Sequence, residues 1–449
     1  MDARTLVAIL RKRRALRRHE RWSRLDLEVH QARAVRELRD FAVARSPFYA
    51  RLHRGLERRP LHELPVVTKA DLMAQFDEVV TDRQVQLKDL RAFVDAHRDE
   101  PAIPRFHERY WTSSTSGSTG MRGIFLHDFD EWTTVIASYA RANEWAGMKA
   151  GLGRTMRLAV VSSRVPTHQS AAVGATLQSR WVPTLRVDAT EPMPQIVAKL
   201  NAFAPEALVG YASMIRLLAD ERLAGRLTIT PQAVTASSEV ISPELREHVR
   251  RAFGTELFEV YAATEPAGIA SHCERHALHL YEDLVITEVV DEHERPVPPG
   301  AFGDHLLVTV LFGRTMPLIR YAMSDSVRLS SETCPCGRPF ALLDAIQGRR
   351  EDLLRLPGRD GADVVVQPNL FHRLMEPLPL HGWQIVQEPS ALRVRLVDAE
   401  RAVDDAALVA AIENALAGVG ALAPRIAIER VDAIARTRLG KAPLVIASP

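Results

Sequence analysis

Apolar positions in the first 57 residues recur at helical spacing, with Leu25, Leu27, Val29 and Ala32 followed by Val35, Leu38 and Phe41. The phrase Leu64-Pro65-Val66-Val67-Thr68-Lys69-Ala70-Asp71-Leu72 then ends an extended piece and opens a helix. Thr68 is a natural N-cap, and Asp71 three residues on places a carboxylate near the free N–H groups. From about residue 110, short apolar runs alternate with amphipathic stretches, the pattern of an α/β domain. Strands are predicted at Leu158–Ser162, Ala207–Gly210, Leu257–Tyr261, Leu284–Val290 and His305–Leu311. The last two are joined by a Pro- and Gly-containing loop and should pair antiparallel. One helix is predicted with Trp132, Val135, Ile136, Tyr139 and Ala140 on one face. Another begins at Ser242-Pro243-Glu244 and stops at Gly254.

Near residue 348 the character changes. Gly348–Asp352 is polar, and Pro357-Gly358-Arg359-Asp360-Gly361 is a loop. Strands follow at Trp383–Val386 and Leu392–Val397. A helix with Leu408, Ala411, Ile412, Ala415 and Leu416 on one face comes next, then a strand at Ile426–Val431. That makes a small α+β unit, 348–449, behind a large α/β domain, 1–347. A chain of 449 residues is too long for one ordinary core.

Composition narrows the function classes. Hydrophobic content of 46% and charged content of 25% are those of a globular protein. No apolar run approaches the roughly 18 residues of a membrane span. The first residues are wrong in order for a secretory signal, so a cytoplasmic location is expected. A net charge of +2 gives no global drive toward nucleic acid. The basic clusters Arg11 to Arg14 and Arg17-Arg18 read as a solvated helix face, with membrane or nucleic-acid contact as alternatives. The chain has six lysines among 58 basic residues, and Lys441 alone lies beyond residue 199. Against that arginine background a lone lysine is informative.

Thr112-Ser113-Ser114-Thr115-Ser116-Gly117-Ser118-Thr119-Gly120 is rich in hydroxyls and glycine. Such a run lets backbone N–H and side-chain OH groups converge on phosphate oxygens. Alone, it also fits a flexible linker. It is not a Walker-type loop, because the only Gly-Lys, Gly440-Lys441, precedes Ala442. Three further stretches carry suggestive chemistry: Tyr261-Ala262-Ala263-Thr264-Glu265, Tyr321-Ala322-Met323-Ser324-Asp325 and Gly348-Arg349-Arg350-Glu351-Asp352. Thr-Glu after a strand can otherwise be a plain helix cap, and Lys441 an exposed terminal lysine.

Together with Arg436-Thr437-Arg438-Leu439-Gly440-Lys441, these stretches occur in the order seen in adenylate-forming enzymes. The chain resembles that superfamily, and Leu64–Leu72, the Gly210-Tyr211-Ala212-Ser213 turn and the cysteine pattern resemble its phenylacetate–CoA ligase branch. The resemblance implies a large multi-sheet adenylation domain and a small mobile lid that turns about Glu351 and Asp352. It implies that Thr115, Ser116, Gly117, Ser118, Thr119 and Gly120 bind the phosphates of ATP. Thr264 would donate to the α-phosphate and Glu265 would ligate Mg²⁺. Ser238 and Glu239 would lie beside adenine, with Tyr261 in the nucleotide and acid site. Asp325 and Arg349 would contact ribose. Lys441 would bridge the substrate carboxylate and the α-phosphate.

Cys273 and His279 are six apart, and Cys334-Pro335-Cys336 lies further on. Three thiols and an imidazole could form a tetrahedral Zn²⁺ site, with free thiols as the alternative. The resemblance favours zinc, and His279 over the competing His276. The pattern departs from the superfamily at Met121-Arg122-Gly123 and at Ala322-Met323-Ser324. No basic cluster follows the hinge to announce a coenzyme A phosphate site. The expected activity is formation of acyl-AMP from a carboxylic acid, aromatic or arylacetic, with small residues about Tyr211, Tyr261, Ala262 and Ala263 leaving room for a ring. The acceptor would be coenzyme A, with an amine or a carrier protein as runner-up. A nucleotide-binding homologue without ligase activity is the rival class, and a homodimer is allowed.

Overall fold

The computed structural model describes residues 2–97, 100, 102–115, 122–149, 154–176, 181–349, 353–359, 361–366, 368–375, 377–398, 400–435 and 443–447. The fold is α/β, as the alternation of elements implied. Its centre is a nine-stranded mixed sheet. Five parallel strands form one side: Leu257–Ala263, Ala233–Ser237, Ala207–Tyr211, Leu158–Ser162 and Thr184–Asp188, in that spatial order. Beyond Leu257–Ala263 the sheet continues antiparallel through Ala267–His272, Leu278–Leu280, Leu342–Arg349 and Asp325–Leu329.

The alternation of side chains along a strand explains the layers. Ala159, Val161, Val187, Leu208, Val234 and Ala236 all face one way and meet helices Met193–Phe203, Ala212–Leu223 and Pro243–Phe253. Ile196, Leu200, Met214, Ile215, Leu218 and Val249 complete that layer, each fully or almost fully buried. Such side chains contribute about 1.5–3 kcal/mol apiece by leaving water. On the opposite face Leu158, Ala207 and Ala233 pack under Ala146 and Met148, at the end of helix Phe129–Trp145. That helix has the expected apolar face, with Trp132, Val135 and Ile136 buried, and Asp128 and Glu131 form its capping box. Pro243–Phe253 starts on Ser242 and stops at Gly254, where φ is +69°. Strand Ala233–Ser237 had escaped prediction because its residues are small and its run short.

A three-stranded sheet joins Val285–Val290, His305–Val310 and Tyr321–Met323, and the first two strands pair antiparallel as anticipated. Val67 adds a parallel bridge to Tyr321, so the extended piece before Thr68 docks on this sheet. Thr68 and Asp71 form the predicted capping box.

Residues beyond 353 have a hydrophobic core of their own, with Leu356, Phe371, Trp383, Ile385, Leu392, Val394, Leu408 and Ile412 at its centre. It fills the space between helices Pro368–Met375 and Asp405–Gly418 and a four-stranded sheet. The sheet runs Arg425–Arg430, Ala391–Val397, Gly382–Glu388, Val445–Ile446.

Candidate active site

In an open parallel sheet, ligands gather beyond the carboxyl ends of the strands where the winding direction reverses. Here the reversal falls between Leu158–Ser162 and Ala207–Tyr211, which are neighbours although Thr184–Asp188 intervenes in sequence. The two strand ends there are bridged by a buried bond, Ser163 N donating to Tyr211 Oη at 2.9 Å. Burial raises the Tyr211 phenol to about 12, so it stays neutral. Tyr261 is also buried, while Ala262 and Ala263 are half-buried.

The hydroxyl-rich run is carried by a β-hairpin. Trp111–Ser114 pairs antiparallel with Ile124–His127, and Ser114 stands opposite Ile124. Thr115 N donates to Gly123 O and Gly123 N to Thr115 Oγ1, both at 2.9 Å, closing the base of the loop. Ser116, Gly117, Ser118, Thr119 and Gly120 lie outside the described residues. The hairpin is fastened to the sheet edge by Ser114 N donating to Thr167 O at 2.7 Å. Two residues on, Gln169 Nε2 donates to Thr264 O at 3.0 Å. On its other side the hairpin's Phe125 meets Tyr321 edge to face, centroids 6.4 Å apart. Tyr321 in turn donates its hydroxyl to Glu265 Oε1 at 3.2 Å. The base of the loop and the Thr264-Glu265 turn therefore share two sets of neighbours.

Glu265 follows the carboxyl end of Leu257–Ala263 and is 10% exposed. Lys69 Nζ stands 3.7 Å from the same Oε1. Among the described residues the hydrogen bond to this carboxylate falls on Oε1, and none falls on Oε2. A hard carboxylate oxygen beside a phosphate-type loop suits a divalent cation such as Mg²⁺. Lys69 was missed as a site residue; its scarcity value as one of six lysines was the available signal.

Asp325 opens strand Asp325–Leu329, and its Cα partner on the adjacent strand is Arg349. The Arg349 side chain, the hinge residues Glu351 and Asp352, and Lys441 lie outside the described residues. Gly348, beside Arg349, has φ +114°, a conformation that L side chains rarely adopt. Ser238 holds φ +70°, a left-handed backbone uncommon for serine, at the turn after Ala233–Ser237. Glu239 accepts from Ser213 N at 2.7 Å and from Ser213 Oγ at 3.1 Å, bracing the two turns that follow the central strands.

The four metal-site residues converge. One ligand atom each from Cys273, His279, Cys334 and Cys336 lies within 4.8 Å of all the others. Cys273 Sγ and Cys334 Sγ are 3.7 Å apart, and Cys336 Sγ is 3.3 Å from His279 Nε2. His279 Nδ1 lies 3.1 Å from Phe340 O, so the proton belongs on Nδ1 and Nε2 is left to bind. Burial pushes the His279 imidazole down to about 4, which keeps it in the ligating neutral form. All three cysteines are free. His276 instead packs against the Phe258 ring at 4.5 Å. Three thiols and one imidazole on a tetrahedral scale fit zinc in the donor set alone.

The basic N-terminal helix is exposed at Arg11, Arg14, Arg17 and Arg18, as expected of a solvated face, and departs from that expectation at Arg13. Arg13 is 3% exposed, not solvated, and pairs with Glu144, as does Arg17 at 2.8 Å. Beneath them Arg141 and Asp283, both with fully buried side chains, form two hydrogen bonds at 2.8 and 2.6 Å. His19 and His30 close on Asp283 from the N-terminal helices at 2.8 and 3.0 Å. The positive charge thus clamps these helices to the core. No helix among the described residues is long and apolar enough to cross a membrane.

A separate crevice of about 1170 Å³ runs between helices Ala212–Leu223 and Pro243–Phe253, the loop at 377–381, and Asp398, Glu400 and Ala402. Arg216, Asp220, His248 and His381 line it, and none of the described motif residues does.

No family model matches the chain. It is 28% identical over 376 residues to a phenylacetate–coenzyme A ligase of Thermus thermophilus, covering 79% of this chain and 76% of that one. It is 21% identical to a fumarate–(S)-2,3-diaminopropanoate ligase of Enterobacter agglomerans, covering 78% and 81%. Among solved structures, 2-hydroxyisobutyryl-CoA ligase in its postadenylation state matches with TM-score 0.73 at 20% identity, covering 96% of this chain and 91% of that one. The same ligase in its thioesterification state gives TM-score 0.58 at 21% identity, again covering 96% and 91%. The ordered motifs and these relatives agree: the chain is an adenylate-forming ligase, and it is similar to the phenylacetate–CoA ligase branch.

Proposed function

We propose that this protein condenses a carboxylic acid with ATP to an acyl-AMP and then passes the acyl group to coenzyme A. The observation that carries the reading is the shared neighbourhood of the hairpin base and the Thr264-Glu265 turn at the sheet's carboxyl edge. Thr115 to Gly120 would grip the phosphates, and Thr264 would donate to the α-phosphate. Asp325, an acceptor-only carboxylate, would take the ribose hydroxyls with Arg349 beside it. Ser238 and Glu239 would border adenine. Mg²⁺ held by Glu265 would offset phosphate charge.

The reading divides the chain into a body, 1–347, and a lid, 348–449. The separate core beyond 353 and the backbone of Gly348 support that division. Lys441 would belong to the lid. Just after it, Pro443 O accepts from Gln384 Nε2 and Leu444 O from Ile385 N, both at 2.8 Å, anchoring this segment on the lid sheet. The lysine charge would stabilise the transition state as the carboxylate attacks phosphorus and pyrophosphate leaves. The better match to a postadenylation than to a thioesterification structure supports a lid set for the first step.

The acid is read as aromatic or arylacetic, because side chains as small as Ala262 and Ala263, beside Tyr211 and Tyr261, would leave room for a ring. Zinc at Cys273, His279, Cys334 and Cys336 would be structural, since four protein ligands leave no place for water. Free cysteines accord with a cytoplasmic protein. The test is acid-dependent exchange of labelled pyrophosphate into ATP over an acid panel. Exchange with arylacetic acids is the expected result, and none with any acid removes the assignment. A second reading has an amine as acceptor, favoured by the similarity to a ligase named for an amine substrate. Mass analysis of products with and without coenzyme A separates the two.

A further inference from the structure

We propose that Lys69 is a positioning residue of the nucleotide site, holding Glu265 by one carboxylate oxygen so that the other faces the divalent cation carried by ATP. The inference rests on the reading of Glu265 as that cation's ligand. Lys69 Nζ lies 3.7 Å from Oε1, and the Tyr321 hydroxyl donates to that same atom at 3.2 Å. The hydrogen bond and the nearby ammonium both fall on Oε1, and no hydrogen bond falls on Oε2.

The route by which Lys69 reaches Glu265 is built rather than incidental. Val67 N donates to Arg320 O at 3.0 Å, and Ala322 N donates to Val67 O at 2.9 Å, so the segment runs as an added strand beside Tyr321. Arg320 is buried with φ +48°, a left-handed backbone. From there its guanidinium bonds Leu64 O and, at 3.2 Å, Glu288. Thr68 then caps the helix whose first residue is Lys69, fixing the direction of that side chain's origin. Lys69 and Tyr321 are thus delivered by two paired segments to one atom. The Lys69 side chain is only 27% exposed, so its charge is held against Glu265 with little screening.

Groups that orient a metal ligand typically change metal affinity by roughly 10- to 100-fold when removed. The experiment is calorimetric binding of ATP with excess Mg²⁺ and with EDTA, to the full-length wild type, Lys69→Met, Lys69→Arg and Tyr321→Phe. In the wild type Mg²⁺ tightens ATP binding. In Lys69→Met that tightening shrinks by roughly 10-fold or more, while affinity in EDTA is kept. Lys69→Arg, which retains the charge, restores part of it, and Tyr321→Phe shows a smaller loss of the same kind. An undiminished Mg²⁺ effect in Lys69→Met overturns the assignment. So does an equal fall with and without Mg²⁺, which would mean that Lys69 grips phosphate directly. A wild type that binds no ATP in either condition sinks the ligase reading itself, and the Lys69 role with it.

Discussion

Asp325 and Arg349 stand opposite each other as Cα partners on adjacent antiparallel strands at the far side of the central sheet. The two come from different motifs, 24 positions apart, and the strand pairing alone sets them side by side. If both serve ribose, Asp325→Asn weakens ATP binding by roughly 10- to 100-fold, the value of a hydrogen bond to a charged acceptor. KM for ATP in pyrophosphate exchange measures it. An unchanged KM would remove Asp325 from the nucleotide site.

Glu265→Gln keeps the size and the Tyr321 contact but loses the charge. Exchange should fall on the order of 100-fold, with the thermal midpoint little changed. A variant that retains full exchange would show that the cation is held elsewhere.

Lys441→Ala separates the two chemical steps. Exchange should fall on the order of 1000-fold, whereas transfer from supplied acyl-AMP to coenzyme A should persist. Equal loss of both would argue against a lid that presents different faces in turn.

Metal analysis of the purified protein should find about one zinc per chain, from the four converging ligands. Cys273→Ser should lower that content and the thermal midpoint together, as should a strong chelator. Full stability in a metal-free protein would make the cluster a set of buried thiols.

His53 and His127 predict a pH response. Burial lowers both to about 4, for His53 with help from the Arg39 charge, and neither ring has a hydrogen-bond partner at its buried nitrogens. Each folded value lies below the unfolded one near 6.5, so the unfolded chain takes up the protons first. The stability these groups contribute is present above about pH 6.5 and is lost as pH falls toward 4, at up to about 1.4 kcal/mol per pH unit for each. Urea midpoints between pH 7.5 and 5 should drop, and His127→Phe should flatten the slope.

The sequence alone determined what depends on neighbours a few residues away. Strand and helix positions followed from spacing, because side-chain direction alternates along a strand and repeats every turn of a helix. Thr68 and Ser242 announced caps, and Gly254 announced a stop, since each satisfies a local backbone need. The order of motifs pointed to the superfamily, and the cysteine spacing together with that resemblance pointed to the four residues that converge. Tertiary structure decided everything that joins distant segments. Only the docking of the hairpin on Thr167, with Gln169 bonded to Thr264, links the base of the loop to that turn, and only the added strand at Val67 brings Lys69 to Glu265. Arg13 looked like a solvated charge because its partner, Glu144, is 131 positions away on another helix. Periodicity records which way a side chain points; what it meets there depends on how the sheets and helices pack.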